Sequence, residues 1–391
     1  MECSRCKNTD PKYFGYDHGT YYCRKCIAFG RLDVGQTVKI PSLSKRVWKG
    51  VPQLKYALTS AQKKASREVL AYLKEKKDVF VYAATGAGKT EMTFESICWY
   101  LSKGRKVCFA ISRRQVVLEI AQRLRIAFPT LKVVEVCQGY TEDTDGDLIV
   151  CTTHQLYRYP KCFDLLILDE LDAFPYVGND LLQEISCQAC RGEKLLLSAT
   201  PDKQSRMKIK KHEMEMVCLF ERPHKHLLCV PKVSVYPVGL QYMALLIFVL
   251  RCKKKGKQVL IFVPEKKDCL KMQLFLFGFV KVTYVHSGVI DKDARMKEFK
   301  KGKYQVMVST TLLERGITIE GVQVVVFQGQ HIVFTVASLI QIFGRVGRSF
   351  QDPEGEGICL CQYQSPEIKE CIRQIQWMNE HAFSASMKKK I

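Results

Sequence analysis

Two α/β domains on mostly parallel sheets, preceded by a small metal-binding module, are the fold that this 391-residue sequence predicts. Three observations carry the reading. Short apolar β-type runs alternate with amphipathic helical patterns over most of the chain, as in parallel sheets covered on both faces. The alternation breaks once, in a charged and proline-containing stretch near 201–237. Four cysteines stand as two close pairs within the first 26 residues. The length itself suits two ordinary domains and an appendage.

The N-terminal module is expected over residues 1–30. Cys3-x2-Cys6 and Cys23-x2-Cys26 are separated by sixteen residues, the spacing of structural zinc sites, in which each pair places two thiolates on one tetrahedral Zn²⁺. The aromatic stretch between them, with Tyr13, Phe14, Tyr16, Tyr21 and Tyr22, reads as a short β-hairpin. The chain holds 18 cysteines, but its length and ordinary apolar content fit a reducing compartment better than a disulfide scaffold. Cys187-x2-Cys190 lacks a partner pair and reads as helical packing, and Cys359 and Cys361 as one face of a strand.

Residues 31–57 form a connector in which Pro41, Gly50 and Pro52 interrupt any long element. A first domain follows over 58–215, opening on a helix capped at Thr59 or Ser60. Its strand-like runs are VFVYAA (79–84), KVCFAI (106–111), DLIVCTT (147–153), DLLILD (164–169) and KLLLSAT (194–200), with a helical pattern at 115–128. A linker is expected over 216–236. A second domain over 237–391 resumes the alternation with QVLIFV (258–263), KVTYVH (281–286), YQVMVST (304–310) and VQVVVF (322–327).

Composition narrows the function classes. At 47% hydrophobic residues the chain is no disordered protein. Its longest apolar run, 243–250, is far below the ~20 residues that span a bilayer, and the polar N-terminus lacks a signal-peptide core. A soluble, unsecreted, cytoplasmic protein is expected. The net charge of +22 points to a polyanion, nucleic acid first and an anionic membrane surface second.

The most informative stretch is Thr85-Gly86-Ala87-Gly88-Lys89-Thr90, which follows a strand and opens a helical pattern. Glycines there let backbone N–H groups converge on phosphates, aided by the helix N-terminus. Lys89 would meet the β/γ-phosphates of ATP and Thr90 a Mg²⁺ ion. Ala83 takes the place of the usual first glycine. Asp169-Glu170 ends a buried apolar strand, where such sheets bind ligands. Asp169 would hold Mg²⁺, and Glu170 would orient or deprotonate the attacking water.

With these pieces the chain resembles a superfamily 2 helicase of the DEAD/DEAH-like kind, which implies two RecA-like domains. Thr85 to Glu91 resembles motif I, and Gln62 the adenine-reading glutamine upstream of it. Asp169-Glu170-Leu171-Asp172 resembles motif II and Ser198-Ala199-Thr200 motif III. Thr310, Thr311 and Glu314-Arg315-Gly316 resemble motif V, and Gln341-x2-Gly344-Arg345-x-Gly347-Arg348 motif VI. Gln341, Arg345 and Arg348 are expected on one face of a helix, the arginines stabilising transition-state charge on the γ-phosphate. The resemblance places nucleic-acid contacts at Arg113, Arg114, Gly139, Thr152, Thr153 and His154 in the first domain. In the second it places them at Phe262 to Pro264, His286, Ser287, Gly288 and Thr310, where the amides of Gly139 and Gly288 can hold phosphates.

A four-cysteine module directly ahead of such a core resembles the ComFA family, late competence helicases of transformable bacteria. That resemblance implies an ATPase stimulated by single-stranded DNA, at the inner face of the membrane, that drives DNA uptake. It also implies a ComFC-like partner and a ComEC-like uptake channel, and it allows a homo-oligomer and peripheral membrane attachment. The PriA-like DNA helicases share the core motifs but carry their metal-binding cysteines further into the chain. A DEAD-type RNA helicase and a non-catalytic zinc-dependent DNA adaptor are the other readings left open.

Overall fold

The computed structural model describes residues 1–172, 175–314 and 319–383. It divides into two compact units, Met1–Ala83 with Gly88–Leu219, and Ala84–Ala87 with Phe220–Ile391.

The first unit opens with a hairpin, β1 (Phe14–Asp17) and β2 (Thr20–Cys23). Its Phe14 and Cys23 pack with Cys3, Cys6, Cys26 and Leu32 into a miniature core. Such a core is too small to hold a fold by apolar burial alone. Helix α1 (Ser60–Lys74) is capped by Thr59, whose hydroxyl accepts from the Gln62 N–H while the Gln62 carboxamide accepts from the Thr59 N–H, a reciprocal cap. Strands β3 (Val79–Ala83), β4 (Val107–Ile111), β5 (Val133–Val136), β6 (Leu148–Thr152), β7 (Phe163–Asp169), β8 (Cys190–Ser198) and β9 (Glu215–Leu219) follow. Between them run α2 (Lys89–Met92), α3 (Phe94–Ser102), α4 (Arg114–Ala127), α5 (Asp180–Ala189) and α6 (Lys203–Lys210).

Among the described residues these strands form one sheet in the order β5-β6-β4-β7-β8-β3-β9, parallel throughout. Every residue of β3, β4 and β6 is buried, which is why these strands read as unbroken apolar runs rather than alternating ones.

In the second unit, strands β10 (Lys232–Val235), β11 (Val259–Phe262), β12 (Val282–Val285), β13 (Val306–Ser309), β14 (Gln323–Phe327) and β15 (Gly357–Cys361) form a second parallel sheet, ordered β10-β15-β14-β11-β13-β12. Helices α7 (Val238–Lys254), α8 (Lys266–Leu276), α9 (Lys292–Lys300), α10 (Val336–Phe343) and α11 (Pro366–Glu380) accompany it. Val259 and Ile261 of β11 pack with Leu245, Val249 and Met272 in its core. The two sheets agree with the expected fold class.

One stretch differs from the sequence reading. Residues 216–236, expected as a linker, hold most of β9 at their start and β10 near their end. The segment EMVCL in β9 has enough apolar side chains to join the edge of the first sheet, where it pairs with β3. The connector over 31–57 is packed onto the first unit. Trp48 is buried, its indole N–H donates to Thr130 Oγ1 at 2.9 Å, and its ring meets Phe128 edge-on at 5.4 Å. Arg46 donates to the Thr130 carbonyl at 2.9 Å, and the Ser44 N–H to Asp145 at 2.9 Å. The segment is a strap across the first unit. Trp48→Ala is expected to lower stability by about 3–5 kcal/mol, the cost of emptying a large aromatic site, measured as a shift of the urea unfolding midpoint; an unchanged midpoint would contradict the strap.

Candidate functional site

Strand order alone brings the motifs together. Parallel strands put all their C-terminal ends on one edge, where α/β sheets bind ligands. Along that edge, β6, β4, β7, β8 and β3 are consecutive neighbours. The segments leaving them are Thr152-Thr153-His154, Ser112-Arg113-Arg114, Glu170-Leu171-Asp172, Ala199-Thr200 and Ala84 to Lys89.

The loop after β3 has the conformation that a phosphate cradle needs. Gly86 and Gly88 sit at φ +80° and +76°, a region costly for any residue with a Cβ. Gly88 has a second constraint, because a Cβ there would lie 2.2 Å from the Gln62 carboxamide nitrogen. The capping glutamine of α1 is thereby held against the loop. Thr85 and Ala87 are buried, as is Thr90 at the start of α2. Among the described residues the Thr85 hydroxyl oxygen, which is buried, has no hydrogen-bond partner.

Lys89 Nζ stands 3.5 Å from Asp169 Oδ1, and both side chains are largely buried. The same carboxylate oxygen accepts from the Glu170 N–H at 2.8 Å. Glu170 is at φ +57°, left-handed for a residue that has no glycine-like freedom, a strain of about 1–2 kcal/mol of the kind that collects at active sites. Beyond it, Asp172 Oδ2 accepts from the Thr200 hydroxyl at 3.0 Å, while Ser198 Oγ both donates to the Thr200 carbonyl and accepts from its N–H. These bonds tie the segments leaving β7 and β8 together. Glu91 forms an ion pair with Arg123, so its carboxylate serves the α2–α4 contact. A glycine loop with left-handed turns, a lysine and a paired acidic turn fit a nucleoside triphosphate with Mg²⁺.

The sequence-predicted nucleic-acid residues of the first unit fall into two groups. Arg114 donates through Nε to the Gln138 carbonyl at 2.8 Å, lies over the Tyr140 ring at 5.5 Å, and approaches Gly139, which sits at φ +83°. Arg113 caps α4 beside it. Thr152 and Thr153 are buried, whereas His154 is half-buried and burial pushes its imidazole below the usual histidine range.

In the second unit, β11, β13 and β12 are neighbours, which aligns Val263-Pro264, Thr310 and His286-Ser287-Gly288 along one edge. Phe262 and Val263 are fully buried and belong to the core. The Gly288 N–H donates to His286 Nδ1 at 3.1 Å, so that amide is not open to a phosphate in this arrangement. The His286 ring stacks on Tyr284, and its pKa is lowered by burial, with Lys266 and Arg295 adding.

One expectation is overturned. Gln341 is buried in α10, but that helix ends at Phe343. Arg345 lies in the turn that follows and Arg348 just beyond it, not on a helix face with Gln341. Gly344 follows the helix in an ordinary right-handed conformation, and Gly347 then turns left-handed at φ +62°, where a helix cannot continue. Arg345 is buried, and Arg348 Nε donates to the Gly344 carbonyl at 2.9 Å. Arg315 and Gly316 lie outside the described residues.

Arg222 is a residue that sequence reasoning missed. It is fully buried, and its Nη2 donates to the carbonyls of Gly344 and Val346 at 3.1 and 3.2 Å, bracing the turn that carries Arg345. Burial lowers its pKa to about 9, with Arg348 adding. A single arginine before Pro223 in an irregular stretch has no periodicity to mark it.

The four N-terminal cysteines converge. Cys3 Sγ is 3.7 Å from Cys26 Sγ, and Cys6 Sγ is 3.7 Å from Cys23 Sγ. All four thiols are buried and lie within 4.8 Å of one another. A tetrahedral zinc with bonds of ~2.3 Å requires sulfurs roughly 3.8 Å apart, so the set fits one such ion. Arg5 Nη1 donates to the Cys26 and Gly30 carbonyls and lies 3.8 Å from Cys26 Sγ, a cation beside the thiolates a metal would require.

The description "Type III restriction enzyme, res subunit" matches residues 55–203, and "Helicase conserved C-terminal domain" matches residues 241–350. Competence protein ComFA of Streptococcus pneumoniae is 33% identical over 97% of this chain and 90% of its own length. ComFA of Bacillus subtilis is 31% identical over 97% of this chain and 86% of its own. The DNA helicase RecG of Thermotoga maritima is 25% identical over 77% of this chain and 42% of its own. Among solved structures, RecG bound to a three-way DNA junction superposes with a TM-score of 0.60 at 22% identity, covering 84% of this chain and 46% of RecG. Yeast Dbp5 bound to RNA and ADP BeF3 gives 0.59 at 16% identity, over 82% and 92%. Both structures share the two-domain RecA-like fold. A site built for ATP hydrolysis, two helicase domains and full-length similarity to two competence proteins lead to one conclusion: this chain belongs to the ComFA family of superfamily 2 helicases, ATP hydrolases of the DNA helicase and translocase type.

Proposed function

We propose that this ATP-dependent competence helicase grips single-stranded DNA and draws it into the cytoplasm during natural transformation. The observation that carries the reading is similarity to two ComFA proteins over 97% of the chain. In this reading Gln62 faces the base, the amides from Thr85 to Thr90 with Lys89 hold the phosphates, and Thr90 and Asp169 hold Mg²⁺. The bound metal would neutralise charge building on the phosphates. Glu170 accepts a proton from the attacking water, its strained backbone fixing the carboxylate at the end of β7. Arg345 and Arg348 supply positive charge for the transition state. The Thr200–Asp172 bond couples the hydrolytic turn to the segment after β8, so that hydrolysis can alter how the first unit holds DNA.

Arg113, Arg114, Gly139, Thr152 to His154, His286, Ser287 and Thr310 are the proposed contacts to the DNA backbone, with Gly288 contributing only after its amide leaves His286. Cys3, Cys6, Cys23 and Cys26 hold Zn²⁺. A ComFC-like protein and a ComEC-like channel are the proposed partners, at the inner face of the membrane. Among the described residues no helix is long and apolar enough to cross a membrane, and the proposed attachment is peripheral.

The test is ATP hydrolysis by the purified chain alone and with single-stranded DNA, duplex DNA or RNA, at fixed moderate salt because phosphate contacts weaken steeply with salt. Stimulation chiefly by single-stranded DNA is expected. Stimulation chiefly by RNA would overturn the DNA assignment.

A further inference from the structure

The hairpin of the four-cysteine module carries more aromatic surface than its fold uses. Phe14 and Cys23 face each other inside the module, and the next pair on that face, Tyr16 and Tyr21, stand opposite one another beyond the core. They are 64% and 47% exposed. Their rings lie 4.8 Å apart at 57°, so the two faces splay rather than cover each other. Tyr13 is also exposed, with Lys12 and Lys25 at 5.0 and 5.6 Å from its ring centre, and Arg31 lies 4.6 Å over Tyr22.

The surrounding charge is positive. Residues 1–40 hold seven Lys and Arg against four Asp and Glu. Each of those carboxylates is already paired within the module: Glu2 with Lys7, Asp10 with Lys12, and Asp17 and Asp33 with Arg31. The surplus is cationic, and Lys25 of that surplus lies beside the exposed Tyr13 ring. The tip between the tyrosines, Asp17-His18-Gly19-Thr20, has no aliphatic side chain, unlike a surface made to enter lipid or an apolar protein groove.

The module is also fastened beside the segment that the proposed function assigns to DNA. Phe29 stacks on Tyr157 at 4.9 Å and 25°, and its ring centre is 6.5 Å from that of His154. Arg158 lies 5.2 Å over the far partner of that stack, Tyr157.

We infer that the Tyr16–Tyr21 hairpin tip is a base-stacking platform for single-stranded DNA, extending the nucleic-acid surface of the first unit from Thr152–His154 onto the metal-binding module. Unpaired bases offer π-faces to tyrosines whatever their sequence, and the lysines and arginines follow the phosphates. Duplex DNA keeps its bases stacked on one another and has no such faces to give. The inference rests on the proposal that the chain carries single-stranded DNA.

The experiment uses the full chain and a fluorescent oligothymidylate, reading Kd by anisotropy, with metal content and DNA-independent ATP hydrolysis measured on the same preparations. Replacing both rings (Tyr16→Ala with Tyr21→Ala) is expected to weaken binding roughly tenfold to a hundredfold, with metal content and basal hydrolysis unchanged. Tyr16→Phe with Tyr21→Phe should bind as the parent does, since the ring face is kept. A double alanine variant that binds within about twofold of the parent overturns the inference, because a single stacked base is already worth more than that. So does a phenylalanine variant as weak as the alanine one. If the alanine variant loses its metal, Lys12→Glu with Lys25→Glu, which disturbs no buried atom, decides: undiminished affinity overturns the platform, and weakened affinity supports it. A parent chain that binds no single-stranded DNA refutes the underlying proposal instead.

Discussion

Lys89→Ala is expected to reduce ATP hydrolysis by about a hundredfold to a thousandfold, the usual loss when one preorganised group facing transition-state charge is removed. Lys89 is the cation of the loop after β3 and stands 3.5 Å from Asp169. Its removal takes positive charge from the phosphate cradle and leaves a buried carboxylate without that neighbour. An electrostatic loss in a low-dielectric site is large because little water is there to screen it. The side chain fills no part of the apolar core, so circular dichroism and gel filtration should match the parent. Glu170→Gln, which keeps the shape and removes the base, should show the same pattern. Turnover by Lys89→Ala within about tenfold of the parent would be too small a change for the role assigned here.

The second large effect concerns the cysteine module. Cys23→Ser is expected to abolish the binding of about one zinc per chain and to unfold residues 1–40 locally, read as metal content and as new protease cleavage there. Structural zinc contributes about 10–16 kcal/mol of apparent binding energy in small modules. The apolar cluster around Phe14 and Leu32 is too small to replace that. Basal ATP hydrolysis should persist, because Gln62, Lys89, Asp169 and Glu170 are positioned by α1 and the parallel sheet, not by the hairpin. Hydrolysis that fell in step with the metal would instead make the module a part of the catalytic fold. The Phe29–Tyr157 stack and the packing of Leu181 on the cysteine cluster are contacts through which that coupling would run.

The helicase motifs were legible in the sequence because they are local. A glycine loop between a strand and a helix, or two carboxylates at the end of an apolar run, needs only a few consecutive residues to declare its chemistry. The cysteine pairs were legible for a similar reason, since metal geometry restricts their spacing. The buried parallel strands announced themselves through runs such as VFVYA and LLILD, which a half-exposed sheet would have broken with polar residues. These features point from sequence alone to the fold class, to ATP chemistry and to a metal-binding module.

What the chain alone could not show is where long-range packing redirects a local signal. QIFGRVGR has helical spacing, yet α10 ends at Phe343, with Arg345 in the turn that follows and Arg348 beyond it, because the left-handed backbone at Gly347 cannot continue a helix. Trp48 looked like part of a connector until Thr130 and Phe128, far along the chain, supplied its partners. Arg222 gained its role only from carbonyls more than a hundred residues away. The Gly288 amide, free in any motif reading, is taken by His286. The neighbour relations of β6, β4, β7, β8 and β3 likewise exist only in the folded sheet. Motif chemistry is a property of short stretches, but burial, pairing and strain are set by residues distant in sequence, so only the tertiary structure decided them.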